Sequence, residues 1–276
     1  ADATLQHPPL DDDALLEMVD IGGPTMVRAA AKNHRHVLVA TNPDRYHGIV
    51  GALKEAGKVD HVDMNLRRSL ALEAFEHTAM YDSIIANELH KRYVVNPTAH
   101  KGAANQQPYL PSQVLSGYTN RQPLRYGENA HQAAALYTSP ANLAGHTTLV
   151  TAKVEGGKAM SYNNYTDADA TLRLCRSLST DEWPETPHAC VIVKHNNPCG
   201  AALGATQKEA FEAALASDPE SAFGSIICFN ETVEAETAEA VGTLFVEVMM
   251  APAFTPEAHQ LLTAKDKRRL LTIDSP

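Results

Sequence analysis

Nothing in the 276 residues reads as a membrane span, because no run of 18 or more apolar residues occurs. Cysteine is scarce: Cys175, Cys190, Cys199 and Cys228 are the whole complement, and none stands in a C-x-x-C or comparable spacing. That excludes a disulfide frame or a cysteine zinc site and reads as reduced thiols in a cytoplasmic protein. Positive charge is short as well, with 23 Lys and Arg against 33 Asp and Glu and a formal net charge of −10. A general nucleic-acid binder would show a basic stripe, so no nucleic acid is expected as a partner, although the total leaves room for one local cationic pocket. The 13 histidines form no H-E-x-x-H or similar spacing, and no metal is expected from them. The acidic start, ADATLQHPPLDDD, has no apolar core and is no signal peptide. Its lack of an initiator Met suggests processing or a preceding portion.

What is present suits one large globular domain or two smaller ones, with 44% hydrophobic and 20% charged residues. In residues 1–93, ALLEMVD suggests a short helix broken by IGGP, and Pro24 opens a second helix through TMVRAAAKNH. HVLVAT reads as a short buried strand closed by Asn42-Pro43. A helix over 46–56 follows, then a long amphipathic helix with Leu66, Leu70, Phe75, Ala79, Ile84 and Leu89 on one side. Residues 94–123 are rich in Pro, Gly, Asn, Gln and Ser without periodicity and read as a linker. Residues 124–276 then alternate. A turn, LRYGENAHQ, leads to a strand, HTTLVTAKV, and a helix, TDADATLRLCRSL, with Thr166 as its candidate cap. Strands ACVIV and GSIICF, helices near 207–216, 234–247 and 256–264, a short MMAP strand and LLTI complete the region. This alternation predicts an α/β fold with a largely parallel sheet.

Six stretches carry candidate chemistry. In VIVKHNNPCGAA a buried strand delivers Lys194 and His195 to its carboxyl end, where ligands of open α/β sheets sit. An imidazole can move a proton near neutral pH, and an ammonium can hold an anion or stabilise an oxyanion. Asn196 and Asn197 add neutral donors and acceptors, and Gly200 permits close backbone approach. In DIGGPTMVRAAAKNH two glycines before a helix can offer N–H groups to an anion, with Asp20 and Lys32 as flanking acid/base candidates. LRYGENAHQ gathers Arg125, Tyr126, Asn129 and His131 around Gly127, suited to a phosphate and a ring. SYNNYTDADA offers the amides Asn163 and Asn164, DPESAFGS the wall Phe223-Gly224, and FVEVMMAP the carboxylate Glu247 among apolar neighbours. Each stretch alone has a plain structural alternative: a surface turn, a helix cap, a hydrogen-bonded loop.

Together, in this order, the six stretches resemble the bifunctional purine biosynthesis family that joins AICAR transformylase to IMP cyclohydrolase. The resemblance implies formyl transfer from 10-formyltetrahydrofolate, a cosubstrate, to AICAR giving FAICAR, then dehydrative ring closure to IMP. Residues 1–93 would be the C-terminal part of a methylglyoxal-synthase-like cyclohydrolase domain, and 94–123 a linker. Residues 124–276 would be the N-terminal part of the transformylase domain, a cytidine-deaminase-like α/β unit. By the same resemblance Lys194 and His195 are the catalytic pair of formyl transfer, and Asp20 and Lys32 act in ring closure. Arg125, Tyr126, His131, Asn164, Phe223, Gly224 and Glu247 bind substrate. The family works as a cytoplasmic homodimer, and a potassium ion is compatible with it. Family members are roughly twice this length, with portions before Ala1 and after Pro276. Two other readings are a nucleotide-binding module without catalysis and a Schiff-base enzyme built on Lys194. The latter leaves His195 and the other five stretches without a role.

Overall fold

Three apolar runs, ACVIV, IICF and VMMA, become the central strands of one sheet. In a computed structural model, residues 10–93, 113–139, 148–178, 183–264 and 268–273 are described, and the chain divides into two units, Ala1–Gly117 and Tyr118–Pro276. The sheet belongs to the second unit. Its order is β3-β8-β7-β6-β4-β5, with β3 Lys153–Glu155, β4 His188–Lys194, β5 Asn197–Gly204, β6 Ser225–Phe229, β7 Val246–Ala251 and β8 Arg269–Thr272.

The expectation of a largely parallel sheet does not hold. Only β6–β7 and β7–β8 are parallel, whereas β3–β8, β4–β5 and β4–β6 are antiparallel. Part of the reason is the stretch NPCGAALG, for which no strand was expected: it pairs back on β4 as an edge strand. An edge position tolerates Pro198 near the strand start. Gly200 serves this packing and not a ligand: a Cβ there would run into the Ala214 carbonyl of α6 (Gln207–Ser217).

Both faces of the sheet are covered, so its strands are apolar on consecutive residues. On one face Val191, Val193, Ile226, Cys228, Val248 and Met250 meet Ala168, Leu172 and Cys175 of α5 (Tyr162–Ser177). On the other, Cys190, Ile192, Ile227, Phe229 and Met249 meet α6, α7 (Ala235–Val241) and α8 (Pro256–Thr263). Helix α7 is shorter than the expected 234–247. Gly242, at φ +44°, ends it, and the following residues join the sheet as β7. HTTLVTAKV yields only β3, its described part before that being a turn over 148–151. The cap of α5 is Ser161, not Thr166; Ser161 and Asn164 form a reciprocal capping box. A separate antiparallel hairpin pairs β1 (Thr119–Leu124) with β2 (Ala134–Thr138), so residues 119–123, read as linker, are mostly strand.

The regular structure of the first unit, among its described residues, is helical: α1 Asp12–Glu17, α2 Gly22–Lys32, α3 Tyr46–Ala56 and α4 Met64–Tyr93, with two short 3₁₀ turns. HVLVAT forms no strand. Residues 37–41 have no regular structure, since no described segment offers them a ladder, and Val39 packs instead beside Ala31, Ala71 and Ala74. The buried stripe of α4 is Arg67, Leu70, Ala71, Ala74 and Thr78, rather than one through Phe75 and Ala79, which are exposed. The fully buried Arg67 donates from Nε to Val62 O and from Nη1 to His34 O and Arg35 O, which ties the turn after α2 to α4. No helix among the described residues is long and apolar enough to cross a membrane.

Candidate active site

The strand β4 ends at Lys194, and the chain reverses in two residues, because Lys194 pairs with Asn197 of β5. Both turn residues take positive φ, His195 at 53° and Asn196 at 61°. This is the two-residue hairpin loop that matches strand twist, usually filled by Asn-Gly. Placing His and Asn there costs on the order of 1–2 kcal/mol per non-glycine residue, less for Asn. The cost is offset locally. The Asp167 carboxylate accepts from His195 N–H at 3.2 Å and Asn196 N–H at 2.9 Å, and Asn197 Nδ2 donates to His195 O at 2.8 Å. Lys194 Nζ donates to the carbonyl of Phe223 at 2.8 Å, leaving two ammonium hydrogens for other acceptors. The sequence thus places Lys194 and Phe223 apart, and the fold joins them.

Gly224 is at φ +78° and donates its N–H to Phe245 O at 2.7 Å, while the Phe223 and Phe245 rings lie 5.3 Å apart. That left-handed glycine turns the chain into β6 and leaves Phe223 exposed beside the Lys194 ammonium.

Asn164 and Glu247, 83 residues apart, also meet: Asn164 Nδ2 donates to Glu247 Oε2 at 2.9 Å. The same Glu247 oxygen accepts from Arg269 Nη1 at 3.3 Å. Arg269, itself 8% exposed, further donates to the carbonyls of Lys158, Ala159 and Glu247. Asn164 Oδ1 is occupied by Ser161 N–H and Oγ–H, so one amide hydrogen of Asn164 and Glu247 Oε1 remain for a ligand.

The strand directions put both clusters at one end of the sheet. Since β4 runs opposite to β6, β7 and β8, that end holds the carboxyl terminus of β4 and the amino termini of the other three. The first two turns of α5 span it. Asn164 reaches β7 and Asp167, one helical turn later, reaches the β4–β5 loop. Sequence reasoning missed Asp167 and Arg269. The spacing of Asp167 three residues after Asn164 on a predicted helix was a usable signal. Arg269, at the head of an apolar run, offered none.

The remaining candidates lie elsewhere. Arg125 stacks on Tyr126, its guanidinium 5.5 Å from the ring centre, in the turn joining β1 and β2, and His131 is exposed there. Gly127 and Gln132 close that turn through Gly127 N–H to Gln132 O at 2.8 Å. No hydrogen bond or ion pair among the described residues joins this turn to Lys194. A cleft of about 560 Å³, lined by Leu124, Leu136, Tyr162, Tyr165, Arg173 and Asn196 among others, lies along α5 and meets the β4–β5 loop at Asn196.

In the first unit, Asp20 stands just before α2 and Lys32 is its last residue, so the helix, about 15 Å long at 1.5 Å per residue, lies between them. Asp20 Oδ1 accepts from Gly23 N–H at 2.9 Å, so the glycine pair expected to expose N–H groups to an anion already meets one, its own aspartate. A Cβ on Gly23 would collide with that carboxylate. The backbone N–H of Asp20 donates to Tyr81 Oη at 2.8 Å. Lys32 is exposed. Among the described residues no group of three or more His, Cys, Asp or Glu could hold a metal, and the four cysteines are free.

A profile of the AICARFT/IMPCHase bienzyme matches residues 30–276. A bifunctional purine biosynthesis protein PurH of Persephonella marina is 42% identical over 95% of this chain and 47% of its own length. The proteins of that name from Desulfitobacterium hafniense and Aquifex aeolicus are 42% and 41% identical, over 98% and 95% of this chain and 49% and 47% of theirs. The chain therefore spans about half the length of the curated relatives it matches. With a match over nearly its whole length, the chain belongs to the AICARFT/IMPCHase bienzyme family.

Proposed function

We propose that the second unit carries the formyl-transfer site of a two-step purine enzyme and that the first carries part of its cyclohydrolase. In this reading residues 124–276 are the N-terminal part of an AICAR transformylase, a cytidine-deaminase-like unit. Residues 1–93 are the C-terminal part of a methylglyoxal-synthase-like IMP cyclohydrolase. The names of the relatives support the pathway. The observation that carries the reading is the convergence of Lys194, His195, Asn164 and Glu247 on one sheet end under the first two turns of α5.

The chemistry then runs as follows. The 5-amino group of AICAR is a weak nucleophile, and the His195 imidazole takes its proton as the nitrogen attacks the formyl carbon of 10-formyltetrahydrofolate. The Lys194 ammonium, anchored on Phe223 O, turns a remaining N–H toward the oxygen that becomes anionic. Collapse breaks the carbon–nitrogen bond to folate, and the proton passes to that leaving nitrogen. Glu247 Oε1 and the free amide hydrogen of Asn164 orient the nucleotide's polar groups, with Phe223-Gly224 as a wall. Arg125, Tyr126 and His131 serve the phosphate and ribose. Ring closure of FAICAR to IMP falls to the first unit, where the exposed Lys32 makes no hydrogen bond or ion pair among the described residues and the Asp20 carboxylate accepts from Gly23 N–H. The acting form is a cytoplasmic homodimer.

The test is an AICAR titration of the isotopically labelled chain, followed by amide NMR. Shifts centred on residues 194–197, Asn164 and Glu247, weakened on the order of tenfold or more in Lys194→Ala, are expected. Shifts confined to the cleft of Leu136, Tyr162 and Arg173 would place the nucleotide elsewhere and overturn the assignment.

A further inference from the structure

The site described above leaves one group unexplained. Asp167 is a half-buried carboxylate on the second turn of α5, and none of the steps assigned to Lys194 and His195 uses it. Its two oxygens do not point at a side chain. Oδ2 accepts from the backbone N–H of His195 and Oδ1 from that of Asn196, the two residues of the β4–β5 loop. These are the only two non-glycine residues with positive φ among the described residues. A left-handed pair without glycine persists only where its surroundings over-determine it. A carboxylate taking both N–H groups is a charge-assisted, two-point constraint of that kind.

The consequence concerns direction. A side chain on a two-residue hairpin loop follows the φ of its own residue, so a loop relaxing toward negative φ would re-aim the His195 imidazole. Lys194 itself stays in place, because it belongs to the β4–β5 ladder and its ammonium is held by Phe223 O. We infer that Asp167 is a positioning residue for formyl transfer: by accepting the His195 and Asn196 N–H groups it holds the loop left-handed and so fixes the direction in which His195 presents its imidazole. This rests on the reading of His195 as general base. It also gives α5 two tasks on one face, with Asn164 setting Glu247 and Asp167 setting His195, so that one rigid helix fixes the spacing between the nucleotide contacts and the base.

The experiment compares wild type, Asp167→Asn, Asp167→Ala and the double variant Asp167→Ala/Asn196→Gly in two measurements. Amide hydrogen exchange at residues 195 and 196 reads the holding of the loop independently of turnover. Loss of the carboxylate should speed it on the order of tenfold or more, with Asp167→Asn, which keeps one acceptor oxygen, in between. Formyl transfer to AICAR reads the positioning. Asp167→Ala should lower kcat by roughly 10–10²-fold with KM for AICAR nearly unchanged, the pattern of a misplaced base. Asn196→Gly should recover part of that loss, because glycine takes positive φ without steric cost. A merely structural role for Asp167 would not be rescued by a glycine in the loop. Unchanged exchange in Asp167→Ala overturns the proposal. So does full kcat in Asp167→Ala where His195→Ala abolishes turnover. Failure of the parent reading looks different: His195→Ala would then turn over like wild type, whatever the exchange rates of the loop.

Discussion

The two units differ in how each covers its own apolar surface. The second surrounds a six-stranded sheet with helices on both faces and buries large residues such as Phe211, Phe229, Ile192, Met249 and Leu270 almost completely. The first has a small core of Ala31, Ala71 and Ala74 with Val27 and Val39 beside it, together with Leu15, Val62 and Leu70. It leaves Ile21 72% exposed and Met26 70% exposed. Area removed from water is the main source of stability, and among the described residues the second unit buries more of it. The difference also bears on function. The polar cluster of the second unit hangs on rigid elements, whereas Asp20 and Lys32 sit just before and at the end of one lightly buried helix.

The comparison is sharpened most strongly by core truncation. Phe229→Ala should cost the second unit about 3–5 kcal/mol, and Leu70→Ala in the first should fall toward the low end of about 2–5 kcal/mol. Urea unfolding followed by residue-level hydrogen exchange would check both. Equal protection of β6 and α4 amides in wild type would break the contrast. Next comes Arg269→Ala, which strips bonds from the carbonyls of Lys158 and Ala159 and from Glu247 and should destabilise by about 2–3 kcal/mol. Lys should not substitute, since the planar fork serves several acceptors at once; chemical denaturation of Arg269→Lys tests this. In the first unit, Asp20→Ala removes the acceptor for Gly23 N–H and should cost about 1 kcal/mol, with Asp20→Asn nearly silent by thermal melting.

The smallest effect is electrostatic. The ammonium of Lys153 first, and then the imidazole of His259, hold the Glu155 carboxyl below its usual range. A lowered folded value means stability that is present above the unfolded carboxyl value, about 4.3, and is lost as pH falls through the folded one. Glu155→Gln should therefore lower thermal stability slightly at neutral pH and flatten the acid limb of the profile below about pH 5, where the two curves converge.

Much of this organisation was legible beforehand. The helix over 46–56, the long helix after it, and the strands ACVIV and GSIICF follow from periodicity and turn residues, and each lies where expected. The return strand NPCGAALG was not legible, because its Pro and glycines give no strand signal and only an edge position beside α6 makes them strand residues. HVLVAT had strand composition but no partner, and ladders need two. At the site, Lys194-His195 was visible as a pair, while Asp167 and Arg269 act across long sequence separations that composition does not encode. The meeting of Asn164 with Glu247 is likewise a product of topology.

The central claim is that the Lys194-His195 loop is a formyl-transfer centre. Its most direct test is turnover of AICAR with 10-formyltetrahydrofolate by this chain, followed as tetrahydrofolate release, in wild type and His195→Ala. The account predicts saturable turnover that falls by ~10²–10⁴-fold in the variant. Turnover that His195→Ala leaves intact, or a folded wild-type chain with none, would contradict it.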